Sequence, residues 1–581
     1  MQFLNQKRSE LDDVLFSMRR IFIAAGLFSF FINALMLVPS IYMMQVYDRV
    51  LNSRNEMTLL MLSLIMLALY MLIGAFEWVR SQLLVRASIQ LDEKLNNRIF
   101  NATFEATLKG SGGNPAQALS DVTNLRQFLT GSGLFAFFDA PWTPIYLAVI
   151  YILDPWLGLF SLVGGVILIA LTWLTERMTQ KPLSEANSLG IQASQYAANN
   201  LRNAEVIESM GMLPGIHQRW NLKHRACLAL QQQASDRAGS IGGATRFTRL
   251  TLQSLILGLG ALLVMEGRLT PGGMIAASIL MGRLLAPIEL LMGAWKGLIA
   301  ARGSYDRLQQ LMKAIPQKEV GMPLPRPKGV MTLEAVVAAA PNTQVPIIKG
   351  LSAAFMPGEV VGIIGPSAAG KSTLARLLVG VWQAQSGKVR LDGADIYSWN
   401  KLDLGPNVGY LPQDVELFEG TVAENIARFA KVDPEMVVRA AQRAGIHDMI
   451  LHFAKGYDTP IGTGGSFLSA GQRQRVALAR AMYGEPVLIV LDEPNSNLDD
   501  VGDLALVRAL ADLKAHGCVV VVITHRTNVV GAVDKLLVLR DGAAQLFGPR
   551  NEVMAALNKA AQAAQPDKGG AVTRLPALGE A

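Results

Sequence analysis

The sequence predicts a polytopic α-helical membrane domain of six spans fused to an α/β P-loop domain, and three observations carry this reading. Of 581 residues, 51% are hydrophobic and 17% charged, against roughly 25% charge in ordinary globular chains; mean hydropathy is +0.30. Apolar stretches long enough to cross a bilayer crowd the region before Ala301, and strand-like and helix-like stretches alternate after it, one pair enclosing a phosphate-binding loop. A purely soluble enzyme and a disordered scaffold are excluded. Cys227 and Cys518 are the only cysteines and lack metal-ligand or disulfide spacing, which points to a reducing compartment. The net charge of +7 is spread along the chain rather than gathered in a basic stripe, so nucleic acid is not expected as a partner.

Residues 1–20 read as an amphipathic helix lying on the membrane, with Leu11, Val14, Leu15 and Met18 at helical spacing among Lys7, Arg8, Glu10, Asp12, Asp13, Arg19 and Arg20. The pattern of a cleaved leader is not present there. The membrane domain then occupies 21–315, with apolar segments at Ile21–Met44, Met57–Trp78, Phe128–Leu153, Trp156–Thr175, Thr251–Met265 and Gly272–Met292. The fifth falls short of the roughly 20 residues a spanning helix needs. Asp154 and Pro155 alone join the third and fourth, which requires a tight hairpin. The long connectors, Val79–Gln127 and Glu176–Leu250, hold most of the Lys and Arg residues, so they and both termini are expected in the cytoplasm. Their heptad-like texture predicts that the membrane helices continue as a cytosolic stalk. Pro214 and Gly215, within Met212–Trp220, are expected to interrupt this run in a turn that docks near Gln413. Asp139, Arg283 and Glu289 are ionisable groups in or near spans; Asp139 adjoins Pro141 and Pro144 and is equally suited to capping the freed backbone of a kinked helix.

A Pro- and Gly-bearing linker, 316–329, leads to the α/β domain at 330–557, and the Ala-, Gly-, Pro- and Gln-rich tail at 558–581 is expected to be disordered. In the α/β domain, the apolar strand Val360–Ile364 runs directly into Gly365, Pro366, Ser367, Ala368, Ala369, Gly370, Lys371, Ser372 and Thr373, then a helix. Such a loop aims backbone N–H groups at phosphate oxygens; Lys371 adds charge at the β- and γ-phosphates, and Ser372 suits Mg2+. A second strand, Val487–Leu491, ends in Asp492 and Glu493. Asp492 suits the Mg2+ shell and Glu493 the polarisation of an attacking water. A third strand delivers His525 to the same edge. Leu468–Gln472, with Gly471 and Gln472, opens the helical run Arg473–Tyr483, and Ser469 stands where an N-cap belongs, an anion-favouring position.

Together these residues resemble the nucleotide-binding domain of ABC transporters. The resemblance makes Leu468–Gln472 the signature motif, Gln413 the Q-loop residue and a Mg2+ ligand, Ser496–Asp499 the D-loop and His525 the switch histidine. It implies ATP and Mg2+ as cofactors, and Ser469 acting on nucleotide held by the phosphate loop of a second copy, hence a homodimeric half-transporter of exporter type. Tyr42–Val50, Asp139–Tyr146 and Asp492–Asp499 further resemble the ATP-binding/permease component of bacterial type I secretion systems, in the branch exporting alkaline proteases, lipases and haem-binding proteins. That implies an inner-membrane protein working with a periplasmic membrane fusion (adaptor) protein, an outer-membrane channel and an unfolded secreted polypeptide. A lipid, drug or peptide exporter shares the same motor, and a nucleotide-regulated receptor is disfavoured by the intact Lys371, Asp492, Glu493 and His525. Two departures from the family stand out. The stretch Ala338–Pro341, expected just before the first strands, lacks the aromatic that stacks on adenine, and Ile461–Ser466 lacks the glutamate often found before the signature.

Overall fold

The computed structural model describes residues 9–110, 115–317, 322–498 and 500–563, in two units, one of membrane helices and one containing the sheets. Among the described residues, six helical stretches of the first unit are long and apolar enough to cross a bilayer: Arg19–Ser53, Glu56–Leu108, Gly133–Leu153, Pro155–Leu201, Leu213–Met265 and Pro271–Ala314. Two of these have 53 residues, so each is about 80 Å long, more than twice the roughly 30 Å of a hydrocarbon core. The excess is the expected stalk. The weak fifth segment proves to be the apolar end of Leu213–Met265.

Proline and polar side chains explain where the spans bend. Pro39 sits in the first turn of Val38–Gln45 and splits the first span after Leu35. A π-helical turn follows at Val46–Val50 and turns Asp48 onto the start of the sixth span, where it accepts from Gly272 N–H at 2.9 Å and Thr270 Oγ at 2.7 Å. A side chain at Gly272 would come within 2.7 Å of that carboxylate. In the third span, Pro141 and Pro144 leave a 3₁₀ turn at Ala140–Trp142 between two α-helical pieces. Asp139 turns away from the freed backbone: it accepts from Asn33 Nδ2 at 2.7 Å and from Arg80 Nη1 at 3.2 Å. Asp154 caps the next helix through Trp156 N–H at 2.8 Å and pairs with Arg268 at 3.1 Å, tying the hairpin to the connector between the fifth and sixth spans.

Three expectations change. The N-terminal helix, Glu10–Ser17 with a Ser9/Asp12 capping box, does not offer its apolar stripe to a membrane. Leu11 and Met18 are buried among Ala87, Leu91, Leu95, Ile99, Leu308 and Met312, and Glu10 holds Arg98 in a two-pronged pair at 2.7 and 3.2 Å. Stalk helices supply the apolar surface that lipid was expected to supply. Pro214 does not break a helix but begins one: it lies in the first turn of Leu213–Met265, where its missing N–H costs nothing, and the turn falls earlier, at Met210–Met212. The last helix, Arg550–Ala563, runs past residue 557; the rest of the tail lies outside the described residues.

Among the described residues the second unit holds ten strands: β1 (Met331–Ala339), β2 (Pro346–Phe355), β3 (Val360–Ile364), β4 (Ser386–Leu391), β5 (Ala394–Asp395), β6 (Val408–Leu411), β7 (Leu488–Asp492), β8 (Val519–Ile523), β9 (Lys535–Arg540) and β10 (Ala543–Pro549). An antiparallel sheet has the order β2-β1-β4-β5, and a six-stranded sheet the order β10-β9-β3-β8-β7-β6, parallel except at β10. Both faces of the central strands are covered, which is why β7 and β8 read as unbroken apolar runs: every residue of each is buried. Ala338 and Ala339 end β1 rather than preceding the strands, so the alanine stretch lies within the antiparallel sheet up to its last residues.

Candidate functional site

β3, β7 and β8 are neighbours in register, so the loops leaving their carboxyl ends share one edge of the sheet. The loop after β3 is tightly folded. Ala368 has φ 65° and Gly370 φ 96°, and a Cβ on Gly365 would meet Leu539 O at 2.3 Å. Lys371 opens the helix Lys371–Leu378 and is buried, with Nζ donating to Gly365 O and Pro366 O at 2.9 Å each. Those carbonyls hold the ammonium beside a loop of the kind whose N–H groups bind phosphate.

β7 delivers two carboxylates to different surroundings. Asp492 is buried at the strand's end. Burial raises its pKa; a hydrogen bond from Ser372 works against that, and the neighbouring charge of Glu493 adds to it. Glu493, one residue on, leaves the strand in the left-handed region at φ 52°, which costs a non-glycine residue roughly 1 kcal/mol or more. The turn aims its carboxylate outward: Oε2 accepts from Gln413 Nε2 at 3.5 Å, and Oε1 lies 3.8 Å from His525 Nε2. Gln413 follows β6 and His525 follows β8, so three separate strand ends converge on one carboxylate.

Ser469, Gly471 and Gln472 are placed elsewhere. Ser469 N-caps the signature helix Ala470–Met482 in a reciprocal box, its Oγ accepting from Gln472 N–H at 3.2 Å and its N–H donating to Gln472 Oε1 at 2.9 Å. A Cβ on Gly471 would meet Asn497 O at 2.9 Å, so the helix start lies against the segment after Glu493. Asp499 lies outside the described residues. One residue escaped the sequence reading. Gln474 is buried, donates to Glu493 O at 3.1 Å and accepts from Asn497 N–H at 3.0 Å and Ser496 Oγ at 3.3 Å. It therefore ties the signature helix to the backbone of the catalytic candidate. Its signal was available: Gln474 is a polar residue in the stripe with Ala477, Leu478 and Ala481 on the buried helix face.

The donor chemistry suits a hard divalent cation. The Ser372 hydroxyl and the buried Asp492 carboxylate are brought together, both are oxygen donors, and a carboxylate whose ionised form burial disfavours gains from a cation.

Comparison with known proteins shows the family. The model of the ABC transporter transmembrane region matches residues 22–288 and that of the ABC transporter domain matches residues 348–496. The type I secretion system ATP-binding protein PrsD of Rhizobium meliloti (strain 1021) is 45% identical over 538 residues, 92% of either chain. The exotoxin translocation ATP-binding protein PaxB of Pasteurella aerogenes is 27% identical, covering 92% of this chain and 76% of its own. In fold, a bacterial Atm1-family ABC exporter with ATP bound is similar at a TM-score of 0.79 and 24% identity, over 95% of this chain and 99% of that one. With a phosphate loop, a signature helix and six spans in one polypeptide, and a 45% identical relative along nearly its whole length, the chain belongs to the ABC transporters, in the group of type I secretion system ATP-binding proteins.

Proposed function

We propose that two copies of this chain form an inner-membrane exporter that spends ATP to move an unfolded polypeptide outward, with a periplasmic adaptor and an outer-membrane channel as partners. The ATPase domains and both termini face the cytoplasm in this reading, which the basic long connectors support. The observation that carries the motor is the split of its parts. Lys371, Ser372, Asp492, Gln413, Glu493 and His525 gather at one sheet edge, while Ser469 is held in its own helix start on the far side of the Gln474 tie. A second copy completes each site by offering its Ser469 and helix N-terminus to the γ-phosphate.

Each residue then has a role. The N–H groups of Gly365–Thr373 and the Lys371 ammonium bind and orient the phosphates. Mg2+, held by Ser372, Asp492 and Gln413, would neutralise charge between the β- and γ-oxygens. Glu493 accepts a hydrogen bond from the attacking water and polarises it. His525, within reach of the same carboxylate, positions it and contacts the γ-phosphate. Export is tested in cells carrying the chain with an adaptor, a channel and a polypeptide encoded beside it. Appearance of that polypeptide in the medium, and its loss with Glu493→Gln, is the expected result. ATPase activity stimulated by a lipid or drug with no polypeptide released would favour the small-substrate reading.

A further inference from the structure

The C-terminal end of the signature helix meets the start of β6 almost backbone to backbone. A Cβ on Gly409 would stand 2.1 Å from Ala481 O. Into this junction runs Arg428, with φ 59° and followed by Phe429 at φ 58°, two consecutive non-glycine residues in the left-handed region, a strain that persists only where the surroundings fix it. Its guanidinium shows what fixes it. Nε donates to Arg480 O at 3.0 Å, Nη2 to Ala481 O at 3.1 Å, and Nη1 to Gly405 O at 2.9 Å and Val408 O at 3.0 Å. One planar fork thus closes the terminal carbonyls of the signature helix and those entering β6. Arg480 adds a second tie: Nη2 donates to Glu416 O at 3.1 Å, three residues beyond Gln413, and the group lies over the Phe418 ring at 5.4 Å.

We propose that Arg428 is a positioning residue for ATP hydrolysis, fixing the angle between the signature helix, which carries Ser469 at its other end, and β6, whose end leads into Gln413. The geometry gives the leverage. Twelve residues of helix span about 18 Å, so a tilt of about 5° at the Arg428 joint moves Ser469 by about 1.6 Å, and a misplacement of about 1 Å costs on the order of 10² in rate. The phosphate loop leaves β3, which β8 and β7 separate from β6 in the sheet, so its hold on the phosphates is expected to survive that tilt. The inference rests on the shared-site reading of Ser469 above.

The test uses full-length protein in lipid, comparing Arg428→Gln, Arg428→Lys and Ser469→Ala by ATPase turnover and, separately, ATP affinity. Arg428→Gln is expected to lower kcat at least about tenfold with ATP affinity held within about threefold. Arg428→Lys, which retains a cation and three donors, is expected to recover part of the loss. Wild-type kcat in Arg428→Gln while Ser469→Ala is inactive would overturn this proposal alone. Wild-type kcat in Ser469→Ala would instead sink the shared site. Loss of ATP affinity together with kcat in both Arg428 variants would make the arginine a general fold stabiliser and overturn its positioning role.

Discussion

The ion pairs of the membrane unit and the carboxylate at the ATP site use charge in opposite ways. In the membrane unit the buried charges are consumed by the fold: Arg80 pairs with Asp139 at 3.2 Å, Asp154 with Arg268 at 3.1 Å, and Asp121 with Arg307 at 2.6 Å. In the ATPase unit Glu493 stands in a strained turn with Gln413 and His525 at 3.5 and 3.8 Å, too far for strong bonds and within reach of a water or phosphate between them. A charge whose partner is built into the chain says how the chain is held. A charge left poised says what it does.

The largest expected effect tests the poised carboxylate. Glu493→Gln should lower ATP turnover by a factor on the order of 10² to 10³ while ATP still binds, because it removes a contact made in the transition state. Turnover close to wild type in that variant would erase the distinction between the units. Next comes the consumed pair. Arg80→Met leaves the half-buried Asp139 with Asn33 alone and should destabilise the protein by about 2 kcal/mol, less than a soluble buried pair because alternative partners exist within a membrane. The double variant Arg80→Met with Asp139→Asn should recover much of that, as read by thermal melting in detergent. An equal loss in single and double variants would mean the pair is not the source.

How much of this was legible follows the same division. The phosphate loop, the Asp492–Glu493 step and His525 could be read because each sits at the end of an unbroken apolar strand, and a strand buried on both faces fixes where its last residue points. Five of the six spans were readable from apolar length alone, while the fifth, Thr251–Met265, was too short on that measure and is the apolar end of a longer helix. What could not be read depends on partners distant in sequence. Residues 9–18 carry an amphipathic stripe that fits lipid or protein equally, and only the fold brings Leu91 and Arg98 to it. Asp139 beside two prolines gave no hint of Arg80, 59 residues away. Arg428 was invisible because its four partners are backbone carbonyls, which leave no mark in a sequence.

A smaller effect concerns adenine. β1 ends at Ala339 with no aromatic through Pro341, so affinity should rest on the triphosphate and ATP should be weakly preferred over GTP. Ala340→Tyr should tighten ATP binding by at most about tenfold, the low end of base–aromatic stacking. A strong native preference for ATP in a binding titration would show that another group reads the base.

The smallest effect is one of stability. Burial raises the pKa of Asp492, so the folded chain holds that proton more tightly than the unfolded one. The stability linked to it is complete below the unfolded value and is lost as pH rises through the folded value. Asp492→Asn should therefore melt slightly higher than wild type without nucleotide, more so at neutral than at mildly acidic pH, while losing ATPase activity. A lower melting temperature at neutral pH would show the carboxylate to be stabilising and already paired.

The central claim, that each ATP site joins the phosphate loop of one copy to Ser469 of the other, is tested most directly with mixed dimers of two tagged copies. When Lys371→Ala is in one copy and Ser469→Ala in the other, both lesions fall in one site and the second site is intact. When both substitutions are in the same copy and its partner is wild type, each site carries one lesion. The account predicts measurable ATPase activity in the first dimer and its loss in the second; activity in the second dimer and not the first would contradict it.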